Sequence, residues 1–169
     1  MDVVVRPATV DDADAMGQVH VLAWPAAYVG LMPRDYLDRL DAGQRAEMWR
    51  RTLSQPRDPA ANLVAAVDGE VVGFASFGPE GFDQQAGDGE LYAINVRPDR
   101  WGVGAGRALL AAVHAGLGYR SAVLWVAPAN QRARAVYERY GWCSEGVERT
   151  AEVLGVIVAE VRYRRALDG

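Results

Sequence analysis

Three glycines alternate at positions 102, 104 and 106 in the run Trp101-Gly102-Val103-Gly104-Ala105-Gly106-Arg107, and their flanks give the run a chemical use. A hydrophobic segment, Leu91 to Val96, leads into a turn marked by Pro98, and an apolar helical pattern (Ala108, Leu109, Ala112, Val113) follows at once. Strand, glycine loop and helix N-terminus in direct succession make a site for anions. The first N–H groups of the helix lack intrahelical partners, and the helix dipole puts partial positive charge there. Glycine removes the Cβ that would hold the backbone away from a bulky phosphate. The chemistry expected at Gly102 to Arg107 is therefore capture of a phosphorylated ligand. A P-loop is excluded, because it needs G-x-x-x-x-G-K-[ST] and the chain has no lysine. The dinucleotide fingerprint G-x-G-x-x-G/A also fails: its last position falls on Arg107 or on Leu109. A glycine loop without a ligand is the alternative that the motif alone leaves open.

Several elements must position this loop. Asp2 to Arg6 reads as a first strand, and Thr9 with Asp12 as a capping-box start to a helix whose inner face is Met16, Val19, Ala23 and Trp24. Pro25 closes or kinks that helix, and Pro33 restarts one with Tyr36, Leu37 and Leu40 inward. Gln44 to Leu53 is a further amphipathic stretch. Leu63–Val67 and Glu70–Phe77 are strands around Asp68-Gly69, a hairpin signal. Pro79 to Gly89 is a polar, glycine-rich loop expected to move. Glu90–Val96 is the fourth strand and Ala122–Val126 the fifth. Asn130 can cap a helix that turns Ala133, Val136, Tyr137 and Tyr140 inward, and Gly141 ends it. Trp142–Arg149 and Val153–Tyr163 form a closing antiparallel pair. The mixed order of strands and helices predicts an α/β sandwich around a mostly antiparallel sheet.

At 169 residues the chain is expected to be one domain, residues 1–169, with a sizeable core. Half of it is hydrophobic and 24% charged, as in a globular protein in water, and no apolar run approaches a membrane span. The first residues lack a basic region followed by a long apolar one, so the expected location is cytoplasmic. Cys143 is alone, which leaves no intrachain disulfide, and nothing groups His, Cys and carboxylates at ligand spacing, so no metal is expected. A net charge of −4 argues against a nucleic-acid partner and mildly favours a cationic or neutral small molecule.

The glycine run resembles the acyl-CoA pyrophosphate loop of the GNAT superfamily of N-acetyltransferases, [Q/R]-x-x-G-x-G/A, with Gly104-Ala105-Gly106 as its G-x-G. Trp101 stands where Gln or Arg is usual. Its backbone N–H is still expected to bind phosphate, with Arg100 or Arg107 supplying charge. Asn130 through Gly141 is similar to the family's N-x-x-A-x-x-x-Y-x-x-x-G-F, with Trp142 in place of Phe, and the likeness covers nearly the whole chain. The resemblance implies a three-layer sandwich, its sheet splayed between strands 4 and 5 with acetyl-CoA, an acyl-donor cosubstrate, in the gap. It implies cofactor contacts from Ile94, Asn95 and Val96, through backbone groups freed by a bulge, from residues 101–107, and from Asn130. It also implies a homodimer as a common assembly.

Acyl transfer from a thioester to an amine needs a neutral amine, a stabilised oxyanion and a protonated leaving thiolate. Tyr137, seven residues after Asn130, matches the family's tyrosine acid, and Tyr140 is the better core residue. Glu90, at the start of the cofactor-carrying strand, is the candidate base, with Asp88 as an alternative and delivery of an already neutral amine as another. Trp24 and Tyr28 are candidates to line the acceptor pocket. His20 is a candidate base or a core histidine. The resulting expectation is an acetyl-CoA:amine N-acetyltransferase working by direct attack in a ternary complex. Its acceptor would be an amine on a small molecule, a peptide N-terminus or a side chain. A non-catalytic acyl-CoA-binding module on the same fold is the rival.

Overall fold

The computed structural model describes residues 2–83 and 87–167. The strands are β1 (Val3–Pro7), β2 (Ala61–Val67), β3 (Glu70–Pro79), β4 (Gly89–Val96), β5 (Ser121–Val126), β6 (Cys143–Val153) and β7 (Val156–Ala166). The α-helices are α1 (Ala13–Ala27), α2 (Arg34–Asp38), α3 (Ala42–Ser54), α4 (Ala105–Gly116) and α5 (Gln131–Arg139). The strands form a sheet in the order β1-β2-β3-β4-β5-β7-β6, antiparallel throughout except for the β4–β5 pair.

Local chemistry sets most boundaries. The expected capping box starts the first helical segment, with Thr9 and Asp12 satisfying one another's end groups. Pro25 lies inside α1 rather than ending it. It removes one donor, but the ladder resumes beyond it, where Tyr28 N–H donates to the Trp24 carbonyl at 2.9 Å. Asp68 and Gly69 both hold positive φ, 51° and 84°, as a two-residue primed turn requires. The last hairpin turns in the same way at Leu154 (49°) and Gly155 (84°). Val153 therefore ends β6, whereas the sequence reading began the last strand there. The Pro79–Gly89 loop is shorter than expected. Pro79 belongs to β3, Gly89 opens β4, and Glu80–Phe82 form a short 3-10 turn. Residues 84–86 of that loop lie outside the described residues.

The layers follow from burial. Leu109, Leu110 and Val113 of α4 pack with Val72, Ala75, Leu91, Leu124, Trp142 and Tyr163 in the main core. Each fully buried aliphatic side chain contributes roughly 1.5–3 kcal/mol. Met16 and Val19 of α1 and Trp49 of α3 pack on the opposite face of the sheet, against Val64 and Phe74. A third cluster joins Trp24, Met32 and Leu37 to Ala127 and Val158.

The feature that matters for the site is in β4. Its register on β3 runs Ala93↔Ser76 and then Leu91↔Phe77, which leaves Tyr92 as an extra residue. The parallel pairing of β4 with β5 stops at the same place, with Leu91↔Leu124 as the last pair. A bulge bends its strand and increases the local twist. Beyond it β4 runs on through Val96 beside β3, while β5 runs on to Val126 beside β7. The sheet splays between its fourth and fifth strands, in the three-layer arrangement that the resemblance implied.

Candidate active site

A cavity of about 590 Å³ lies at this splay. Ile94, Asn95 and Val96 of β4 form one wall, and the loop Trp101–Gly104 with the start of α4 (Ala105, Gly106, Arg107) forms the next. Asn130, Val136, Tyr137 and Tyr140 face them from the α5 side, and Ala23, Ala26 and Ala27 close the cavity from α1. The structure thus brings every residue singled out for cofactor contact into one lining.

The loop is built to present amides. Gly102 (φ 87°) and Gly104 (φ 95°) occupy the left-handed region, and Gly104 caps α4. The helix ladder begins with Ala108 N–H donating to the Gly104 carbonyl at 2.9 Å. The N–H groups from Gly102 to Arg107 have no partner among the described residues. Two expectations need correction. The Trp101 backbone N–H is taken, because the turn at Pro98 folds back and the Pro98 carbonyl accepts it at 3.2 Å. Arg100 is also occupied, because Glu70 holds it at 2.8 Å. Arg107 makes no ion pair with a described residue and remains a source of charge. The indole of Trp101 donates to the Val96 carbonyl at 3.0 Å and so occupies one of that oxygen's two acceptor positions.

Asn130 Oδ1 accepts from Ala133 N–H at 3.2 Å, the N-cap bond of α5, and Asn130 also lines the cavity. One helical turn after Ala133 comes Tyr137, whose ring meets Trp142 edge-on at 6.4 Å. Its hydroxyl makes no hydrogen bond with a described residue. Burial, and after it the Tyr28 phenol, push the Tyr137 pKa up, so the group is a phenol and not a phenolate at neutral pH. Tyr140, expected in the core, is half-buried and lines the same cavity.

Glu90 does not line this cavity. Leu91, its neighbour, points into the core with Leu124 and Tyr163, so Glu90 projects from the opposite face of the sheet. Burial raises its pKa, opposed by a hydrogen bond that its Oε2 accepts from Gly81 N–H at 2.8 Å. Glu160 is near enough to affect Glu90 and also Tyr28, whose pKa burial pushes up to about 12. Tyr28, in turn, is near enough to affect Tyr137. Arg149 pairs with Glu160 at 2.8 Å and lies 3.9 Å from the centre of the Trp125 ring. Asp88 is a poor alternative base, because bonds from Ser121 and Arg164 hold its carboxyl below the usual range.

Trp24 and His20 are core residues here, both buried. Trp24 lies between the rings of His20 (4.5 Å) and Tyr28 (4.7 Å), tilted to both, and stays out of the cavity lining. Burial lowers the His20 pKa to about 4, so it is neutral at physiological pH. Tyr28, the other acceptor-pocket candidate, is near enough to Tyr137 to raise its pKa. Sequence reasoning missed Ala23, Ala26 and Ala27, whose small size lets α1 come close, and Arg132, which lines the cavity from α5. It also missed Arg134, which donates to the Tyr163 hydroxyl at 2.9 Å while that hydroxyl donates to Glu138 at 2.8 Å, tying α5 to β7.

Comparison with known proteins agrees with this fold. Residues 20–142 match the family model described as Acetyltransferase (GNAT) family. The uncharacterised N-acetyltransferase YuaI of Bacillus subtilis is 36% identical over 165 residues, 94% of this chain and 90% of that protein. The mycothiol acetyltransferase of Streptomyces coelicolor is 36% identical over 115 residues, and the match spans only 32% of its length. Among solved structures, the PaiA N-acetyltransferase of Thermoplasma acidophilum in complex with coenzyme A has a TM-score of 0.75 at 16% identity, over 98% of this chain and 99% of that one. YncA of Salmonella typhimurium, solved with acetyl-CoA, has a TM-score of 0.71 at 18% identity, over 100% of this chain and 96% of that one. At such identities these two structures speak for the fold. With the family model covering most of its length and a close relative matched almost end to end, the chain belongs to the GNAT acetyltransferase family.

Proposed function

We propose that this chain transfers an acetyl group from acetyl-CoA to a primary amine by direct attack within a ternary complex. One observation carries the reading: one cavity at the β4–β5 splay is lined both by loop amides without a partner among the described residues and by Tyr137. The amides of residues 102–107 receive the diphosphate at the N-terminus of α4. The Ile94 backbone and Asn130 guide the pantetheine arm toward Tyr137. The relatives solved with coenzyme A or acetyl-CoA support this choice of donor.

In the reaction, the amine nitrogen attacks the thioester carbonyl carbon. The C–N bond forms, and the carbonyl oxygen becomes an oxyanion. Collapse of that intermediate breaks the C–S bond. The departing thiolate takes a proton from the Tyr137 hydroxyl, and the nitrogen gives one up to Glu90, directly or through water. The products are the amide and the free coenzyme thiol. The raised pKa makes Glu90 a stronger base than an exposed glutamate, while the raised Tyr137 pKa keeps the phenol protonated, and its transfer of a proton to the thiolate relies on the sulfur developing charge beside the hydroxyl in the closed site. Glu90 lies on the face opposite α4, so the amine enters from the side away from the coenzyme.

The test is thiol release from acetyl-CoA over a panel of amines, including amino acids, polyamines, aminosugars and peptides. Release that depends on an added amine, with the matching acetylated product found by mass spectrometry, is expected. Tight acetyl-CoA binding with no turnover on any acceptor would favour a non-catalytic acyl-CoA-binding module instead.

A further inference from the structure

The Arg132 guanidinium carbon lies 3.7 Å from the centre of the Trp101 ring. The two residues come from different walls of the cavity, Trp101 from the loop before α4 and Arg132 from the first turn of α5, and both line it. The hydrogen bond from the indole to the Val96 carbonyl fixes the plane on which the guanidinium rests. The nearby cations differ in what they are free to do. Arg97 and Arg100 are paired with Glu70 and Asp99. Arg107, Arg132 and Arg139 line the cavity without an ion pair to a described residue. Of these three, Arg132 is the one held in a set orientation. A guanidinium whose carbon is held over an aromatic face has N–H donors left for other partners, in the fork geometry that matches phosphate oxygens.

On the acetyl-CoA reading above, we infer that Arg132 binds a phosphate group of the coenzyme and that Trp101 is its positioning residue. The departure at position 101 is then a substitution of means. A family side chain that is polar there is replaced by an aromatic platform, which borrows its charge from α5.

Calorimetric titration with CoA and with dephospho-CoA, which lacks the 3′-phosphate, tests this on variants whose thermal melts match wild type. Arg132→Gln is expected to weaken CoA binding about tenfold, the order of one charge-assisted contact. Trp101→Leu should weaken it comparably in the wild-type background but add little on top of Arg132→Gln, while Trp101→Phe, which keeps a ring face, should recover most of the loss. A purely structural tryptophan would instead cost the same in both backgrounds. A loss confined to CoA assigns Arg132 to the 3′-phosphate, and a loss shared by dephospho-CoA assigns it to the diphosphate. Unchanged affinity of Arg132→Gln for both ligands overturns the proposal while leaving the acetyltransferase reading intact. Wild type that binds neither ligand overturns both.

Discussion

Gly102 and Gly104 hold backbone conformations that a Cβ strains, but Gly106 does not. It sits in the first turn of α4, and an added Cβ would meet its nearest neighbour, Val96 Cγ2, at an ordinary 3.8 Å. On folding grounds alanine there is an improvement of about 0.5–1 kcal/mol. Gly106→Ala is therefore expected to melt a few degrees higher in calorimetry and yet bind CoA more weakly, because the methyl group projects where the phosphates approach. Equal or tighter CoA binding would remove the need for close approach at this position. Tyr137→Phe should lower turnover roughly 100-fold or more, with little change in CoA affinity, because only the proton for the thiolate is lost. Unchanged turnover with acyl transfer rate-limiting would refute its role. Glu90 is read out by pH. Its carboxyl titrates above the ordinary glutamate value, so kcat/KM should rise with pH through that raised ionisation. Glu90→Gln should lose that limb of the profile, and a limb that survives would move the base elsewhere. The loop and the Asn130 cap were legible in the sequence because glycine spacing and a helix cap are local patterns, whereas Tyr137 was singled out through the family resemblance. The stack of Arg132 on Trp101 was not legible, because it joins two segments that only the fold brings together.

Among the elements, α1 carries a device visible in the pH dependence of stability. Burial, and then the charge of Arg45, hold His20 neutral down to about pH 4. The unfolded chain takes up that proton near its ordinary value of about 6.5. The stabilisation is complete above the unfolded pKa and is lost as pH falls from there toward the folded one. By linkage the loss reaches up to about 2 kcal/mol at pH 5. Denaturant titrations of wild type and His20→Phe at pH 7 and pH 5 should show the wild type losing that much more than the variant; parallel losses would place the acid sensitivity elsewhere. The strands show where a reading of pattern stops. Asp68-Gly69 announced its turn, since both residue types tolerate positive φ. Leu154-Gly155 adopts the same turn with a leucine in the first place, so the final hairpin was misplaced. The Tyr92 bulge left no trace in the alternation of β4, because its extra residue is as apolar as its neighbours. That the bulge coincides with the end of β4–β5 pairing is a property of the sheet, and the resemblance supplied it where the pattern could not.

In the molecule as a whole, the proposed reaction draws on both sides of the splayed sheet. The cavity on one side is lined by the amides of the loop and α4, by Asn130 and by Tyr137. The other side carries Glu90, Glu160 and Arg149, with Tyr28 near both Glu160 and Tyr137. On the proposed mechanism, donor and acceptor would meet at the parting of β4 and β5 from opposite sides of the sheet. A crystal structure of the complex with acetyl-CoA tests this most directly. The diphosphate is expected against the amides of residues 102–107, and the thioester sulfur within hydrogen-bonding reach of the Tyr137 hydroxyl. A coenzyme seated outside the splay, or one whose sulfur lies far from Tyr137, would contradict it.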